Sequence, residues 1–267
     1  MTPRFWRDDA LPFIEARSVK DGRKVCYAKH AHDTFSIGAI MGGSSTYLNG
    51  AEQQRIGAGA VVVINPEHVH ACNPIDDRPW SYLMFYVDAA WLREIQHAHD
   101  TGGDRSFRAY STTMTTQRHL HAGLIRLFDV LTNDDADRLQ KESAALGFFS
   151  TLHCALSSNV AAMAHDNPKL ARAADYIREN FARTLKLEEI CAAADLSPSY
   201  LIRAFKARYG MTPHAYLVNR RIEFSRAQLK RGRPIAEVAA DAGLADQAHL
   251  QRAFRQFTAV TPLQYRR

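Results

Sequence analysis

The stretch LIRAFKARYGMTPHAYL, beginning at Leu201, returns forty-nine residues later as LQRAFRQFTAVTPLQYR, beginning at Leu250, with seven of seventeen positions identical. The spacing is too long for the two arms of a helical hairpin. Two copies are too few for a solenoid, which needs three or more to bury a continuous core. The chain must therefore build two small, equivalent bodies and a connector that sets the distance between them.

Each copy reads as two short helices and a tight turn. In the first, Leu187, Ile190, Cys191 and Ala194 fall at i, i+3, i+4 and i+7. Ser197 then offers an N-cap with Pro198 at the first helical position. The following helix buries Leu201, Ala204 and Phe205 and exposes Ser199, Ile202, Arg203 and Lys206. In the second copy Ile235, Val238, Ala239 and Ala242 repeat the first stripe, Gly243 ends that helix, and Asp246 caps the next. That last helix buries Leu250, Ala253, Phe254 and Phe257 and exposes Gln247, Ala248, His249, Gln251, Arg252 and Arg255. Between the copies, Thr212-Pro213 opens a helix that runs to about Arg231 and stops at Gly232. Its stripe is Val218, Ile222, Ser225 and Leu229; Arg220, Arg221, Arg226, Lys230 and Arg231 cover the rest. Eighteen helical residues span roughly 27 Å, and successive major-groove openings on one DNA face lie roughly 34 Å apart. A short basic helix after a tight turn is helix-turn-helix grammar, and this connector suits two of them to neighbouring grooves.

Charge supports the same division. Residues 169–267 hold 18 Lys+Arg against 9 Asp+Glu, a net of +9, whereas residues 1–168 hold 16 against 19, a net of −3. A basic third on a mildly acidic remainder is the footprint of a polyanion-binding domain attached to something else. The first residues carry no apolar run of signal-peptide length, no run is long enough to span a membrane, and four scattered cysteines form no CxxC pair. A cytoplasmic protein with reduced thiols is the expectation.

Residues 170–267 resemble the DNA-binding domain of the AraC/XylS family of bacterial transcription regulators. The resemblance rests on the paired stripes, the RAFK and RAFR cores, both TP…Y endings and the central NRRIEFSRAQL helix. It implies base contacts from Ser199, Ile202 and Arg203 in the first unit and from Gln247, His249, Gln251 and Arg252 in the second. Lys206, Arg220, Arg221 and Arg255 join them as candidate DNA contacts. Ile202 and Ala248 can offer only apolar contact, for instance to a thymine methyl.

From about Lys24 to Tyr86 short apolar runs alternate with turn signals. Asn49-Gly50 marks a hairpin, GAGAVVVINP reads as a buried strand, and WSYLMFYV sets Trp80, Tyr82, Met84 and Tyr86 on one face. A sandwich or small barrel follows. A helical hairpin is expected over about 117–160, with Leu120, Leu124, Leu127 and Leu131 on its first arm. Leu139, Leu146, Phe149, Leu152 and Leu156 form the stripe on its second arm. Such stripes serve either as a cover for the barrel or as a dimer seam. The expected organisation is α+β: a ligand-binding and dimerisation domain over 1–160, a linker at 161–168, and the DNA-binding domain at 169–267.

Ten of twelve histidines lie in the first part. His30-Ala31-His32 and His68-Val69-His70 share HxH spacing, which on a strand aims both rings one way. With INPEHVHACNP and HDTFSIG, this half resembles the cupin-like effector domain that precedes many AraC-type DNA-binding domains. His30 and His32 stand at the first cupin motif, Pro66 and His70 at the second. No glutamate follows HxH at the cupin distance. Three readings stay open for His30, His32 and His70: a divalent-metal site, direct hydrogen bonds to a small effector aided by Trp80, Tyr82 and Tyr86, or histidines with no ligand. The expectation is an effector-controlled regulator, a homodimer, with RNA polymerase as a partner if it activates. Its rivals are a metal-dependent cupin-type enzyme and a DNA-binding protein that needs no effector.

Overall fold

A computed structural model describes residues 3–98, 106–156 and 167–266. Among the described residues the first part holds nine strands: β1 (Arg4–Trp6), β2 (Ile14–Val19), β3 (Phe35–Gly42), β4 (Ser44–Asn49), β5 (Glu52–Gly57), β6 (Val61–Ile64), β7 (His70–Pro74), β8 (Ser81–Val87) and β9 (Met114–Thr115). They form two antiparallel sheets, β1-β2-β8-β3-β6-β9 and β5-β4-β7. At the β4–β5 hairpin Asn49 pairs with Glu52, and Gly50 takes the positive φ of 60° that the reversal needs.

Alternation along the strands divides the apolar residues into two layers. Phe35, Ile37, Phe85 and Val87 face outward, under helices α1 (Ala89–Ala98), α2 (Arg118–Leu131) and α3 (Arg138–Leu156). Ile40, Val62, Ile64, Trp80, Tyr82 and Met84 face inward, toward Tyr47, Ile56 and Cys72 of the small sheet. The α2 stripe is fully core: Leu120, Leu124, Leu127 and Leu131 are all buried against the large sheet. A dimer seam over those leucines is thereby excluded. The α3 stripe needs correction too. Leu139 is 71% exposed and Leu146 52%, while Ala145, Phe148, Phe149, Leu152 and Leu156 carry the contact. In the first half of α3 the inward positions are Lys141, Ala145 and Phe148, spaced i, i+4 and i+7, which leaves Leu139 and Leu146 outside.

The second part is helical: α4 (Pro168–Asn180), α5 (Leu187–Ala194), α6 (Pro198–Tyr209), α7 (Pro213–Lys230), α8 (Ile235–Asp241), α9 (Gln247–Thr258) and α10 (Pro262–Arg266). Most of the expected linker lies outside the described residues; α4 opens at Pro168, with Asn167 as its cap. The repeated residues do the same job twice. Phe205 meets Tyr216 at 5.4 Å between ring centroids, and Phe254 meets Tyr265 at 5.3 Å. Thr212 accepts from the Ala215 amide and Thr261 from the Gln264 amide, each at 3.2 Å, so both Thr-Pro pairs start a helix. Asp246 caps α9 through the His249 amide at 2.6 Å. Ser197 stands at the N-cap of α6 without a side-chain capping bond. Gly243, at φ +68°, lies where a Cβ would be 2.2 Å from the Ala182 carbonyl, so the second turn admits no side chain.

Candidate functional site

His30, His32 and His70 come together at the mouth of the barrel. One ring nitrogen of each lies within 4.8 Å of the other two. His30 and His70 are paired by backbone hydrogen bonds in both directions, at 3.1 and 2.9 Å, which fixes the two loops side by side. His68 is exposed and points away, so the second HxH pair does not converge. Its backbone is still used: each of the three rings places Nδ1 2.9 Å from a carbonyl oxygen, of Ala28, Thr34 and His68 respectively. A carbonyl can only accept, so every Nδ1 carries the proton and every Nε2 keeps its lone pair. Ser36 Oγ stands 3.4 Å from His32 Nε2. Burial, then His70, holds His30 and His32 well below the usual imidazole range, and burial pushes His70 down to about 4. The rings are neutral acceptors at neutral pH.

Behind the histidines is a narrow cavity of about 30 Å³ between the sheets, walled by Ile40, Val62, Ile64, Trp80, Tyr82 and Met84. That is room for roughly two waters. The Trp80 indole donates to the Gly22 carbonyl at 2.9 Å, and the Tyr82 hydroxyl pairs with that of Tyr27 at 2.8 Å. Trp80 and Tyr82 are thus wall; Tyr86, 5.7 Å from the His32 ring, reaches the mouth.

The mouth is covered by the helical part. Arg17, Tyr86, His30 and His32 line one narrow space with Arg226, Thr258 and Tyr265. The polar contacts across this seam are numerous. Asn219 pairs with both backbone groups of Ala31, at 2.8 and 3.2 Å. Arg17 Nη1 donates to the Thr258 carbonyl at 3.1 Å, Arg7 Nη1 to the Tyr265 carbonyl at 2.7 Å, and the Ala28 amide to the Gln256 carbonyl at 2.8 Å. Glu15 joins Arg7 at 2.9 Å and Lys230 at 2.6 Å. Burial works to raise the Glu15 pKa, but Lys230 and Arg7 outweigh it and hold the carboxyl at about 2. Arg226 is paired with Glu223 at 2.9 Å.

Ser199, Ile202, Arg203 and Lys206 of α6 are exposed, as are Gln247, Gln251, Arg252 and Arg255 of α9, although Arg255 lines a groove it shares with barrel residues Asp21, Arg23 and Asp77. His249 is half-buried, with its Nδ1 3.4 Å from the Ala245 amide. Arg220 and Arg221 need correction as DNA contacts. Arg220 pairs with Glu67 of the barrel at 3.0 Å, and Arg221 donates to the Phe181 and Arg183 carbonyls. Their guanidiniums are committed within the protein, because α7 has the barrel on one side and α4 on another. Arg17, Glu15 and Arg226 were not foreseen. The available signal was IEARSV, where two charges fall on one face of a strand buried almost throughout.

A family model of the AraC-like ligand binding domain matches residues 15–149, and one of a helix-turn-helix domain matches residues 190–267. The HTH-type transcriptional regulator YbfI of Bacillus subtilis is 25% identical over 240 residues, 89% of this chain and 86% of that protein. The transcriptional activator RhaS of Klebsiella pneumoniae is 22% identical over 86% of this chain and 84% of its own. Among solved structures, an apo variant of ToxT from Vibrio cholerae shares the fold with a TM-score of 0.63, at 15% identity over 95% of this chain and 96% of that one. Wild-type ToxT with an unsaturated fatty acid bound gives 0.60 at 15% identity, over 95% and 94% of the two chains. Among the described residues no helix is long and apolar enough to cross a membrane.

Proposed function

The chain belongs to the AraC family of transcription regulators, with an N-terminal ligand-binding domain, and we propose that its effector enters the barrel at His30, His32 and His70 and is sensed by the second helix-turn-helix unit. One observation carries this reading. Three neutral imidazoles converge at the barrel cavity, and two of them, His30 and His32, also line the adjoining seam space whose far wall is Arg226, Thr258 and Tyr265 of the DNA-binding domain. A molecule that fills the cavity must displace or reorder those contacts, which is what differential binding to two states requires. DNA is read by Ser199, Ile202, Arg203 and Lys206 in one groove and by Gln247, Gln251, Arg252 and Arg255 in the next, with His249 at the edge. The cytoplasm is the compartment, and the protein works as a homodimer over the face of α3 that exposes Leu139 and Leu146. As an activator it would contact RNA polymerase as well as DNA.

The test uses the full chain in a reporter assay. His32→Ala and His70→Ala should abolish the response to effector and leave operator binding intact. An undiminished response in both variants would overturn the assignment.

The fixed tautomers favour a second reading, a divalent metal on three Nε2 atoms, since histidine ligands commonly donate Nδ1–H to a carbonyl. Zinc–nitrogen bonds of about 2.0–2.1 Å put tetrahedral ligand atoms about 3.4 Å apart, so the rings would have to close from 4.8 Å. Electrostatics count against it: no carboxylate joins the cluster, and Arg17 and Arg226 line the same space. Elemental analysis after incubation with zinc should show no stoichiometric metal; one equivalent, lost in His70→Ala, would restore the metal reading.

A further inference from the structure

Arg17 is 2% exposed, yet two of its three guanidinium nitrogens, Nε and Nη2, have no hydrogen-bond partner among the described residues. Its third nitrogen donates to the Thr258 carbonyl, and the Tyr86 hydroxyl is a further polar neighbour of the guanidinium. Phe5 and Tyr27 lie against the guanidinium at 5.1 and 5.7 Å from their ring centroids. Tyr27, Tyr82 and Tyr86 are the groups that bear on it electrically, none of them a carboxylate, and burial holds the Tyr27 and Tyr82 hydroxyls above the usual phenol range. The carboxylates buried along the seam are taken: Glu15 by Arg7 and Lys230, Glu223 by Arg226. An arginine cannot shed its proton to escape such a place. A buried, unpaired cation with two idle donors is among the most costly arrangements a fold can keep. It is retained where something of opposite charge arrives.

We propose that Arg17 is the anion anchor at the mouth of the effector cavity, in the seam space it lines with His30 and His32, and that the effector is a small organic acid whose carboxylate takes the idle guanidinium donors and whose hydroxyl donates to a histidine Nε2. This rests on the cavity being the effector site and adds the effector's chemical class. The two halves of the site are complementary in kind: the arginine offers only donors, and the three neutral rings offer only acceptors toward the cavity. A carboxylate suits the planar fork of a guanidinium better than a point anion does. The cavity behind the histidines, about 30 Å³ with Ile40, Val62 and Met84 on its walls, takes no more than the methyl end of such an acid. Arg17 also holds Thr258 at the end of α9, so an acid arriving at its free edge acts on the side chain that ties barrel to second unit.

The test is thermal denaturation of the full-length protein with lactate, 3-hydroxybutyrate, butyrate and the amides lactamide and 3-hydroxybutyramide. A ligand that binds only the folded chain raises Tm. The acids should raise it, the hydroxy acids above butyrate, and the amides should not. Arg17→Met should keep or raise the Tm of the ligand-free protein, since it removes an unpaired buried charge, and weaken lactate binding about tenfold or more. Arg17→Lys should retain part of the response. Amides that act as well as acids, or an acid response undiminished in Arg17→Met, would overturn the anchor while leaving the cavity as an effector site. No shift with any compound would overturn the acid class together with the anchor. A lower ligand-free Tm in Arg17→Met with an unchanged acid response would make Arg17 a structural group. The comparison of acid with amide stands on the native protein alone, whatever the variants do.

Discussion

The two repeated units are alike inside and unlike where they meet the barrel. Inside, Leu201 and Phe205 of one match Leu250 and Phe254 of the other in burial, ring contacts and helix starts. At the barrel, the first unit and the start of α7 present an apolar contact edged by the Asn219 bonds to Ala31 and the exposed Arg220–Glu67 pair. Val69 and Ala31 join its core, and a Cβ on Gly210 would lie 3.1 Å from Val69. The second unit, with the end of α7, meets the barrel through charges and backbone carbonyls: Arg17 on Thr258, Arg7 on Tyr265, and Glu15 on Lys230. An apolar seam holds position with little sensitivity to what lies nearby. A seam of ion pairs at the edge of a cavity responds to charge. Duplication thus yields two units with equal interiors, and in the proposed reading the second, which holds the buried charges of the seam, is the one that carries the sensor's signal.

The largest expected effect tests whether the interiors are equivalent. Phe205→Ala and Phe254→Ala should each cost about 3–5 kcal/mol by chemical denaturation. Only Phe254→Ala should also loosen the barrel contact, because Tyr265 rests on Phe254 and carries the carbonyl that Arg7 holds. Equal loosening by both would remove the asymmetry.

Acid should act on the barrel side alone. His70 is held at about 4 against an ordinary 6.5. Between those values the unfolded chain takes a proton that the folded chain refuses, so stability rises with pH in that window. The contribution is complete above about pH 6.5 and is lost as pH falls toward 4, on the order of 3 kcal/mol for this ring. In the repeated units His214 is exposed and His249 half-buried. Unfolding followed by barrel and helical probes should part below pH 6.5; coincident curves would count against it.

A smaller effect falls on DNA. Arg203→Ala and Arg252→Ala should each weaken operator binding by about 1–3 kcal/mol and relax base preference in their own half-site only. A substitution that relaxes both half-sites equally would show that the units do not read separately.

Much of this was legible because it is local. Thr212, Gly232, Gly243 and Asp246 act within one turn of chain, and the repeat made each a check on its twin. The histidine cluster was half legible: HxH spacing proposed it, but only the His30–His70 backbone pairing decided that His68 stays outside. The seam between the parts was not legible. Arg220 and Arg221 read as DNA contacts because a helix pattern cannot show that a second domain covers it. Leu139 and Leu146 read as one stripe with Phe149, Leu152 and Leu156 because leucine periodicity outweighed Ala145 and Phe148, which are buried in their place. Arg17 left almost no trace, since its meaning lies in the partners it lacks, and those are known only once the strands are folded.

The most direct measurement is amide hydrogen exchange on the full chain and on Glu15→Gln, which cuts the ion-pair seam without touching either helix-turn-helix core. The account predicts faster exchange at the end of α9 and in α10, with α5 and α6 unchanged. Equal acceleration in both units, or none in α9, would contradict the claim that the barrel speaks to DNA through the second unit.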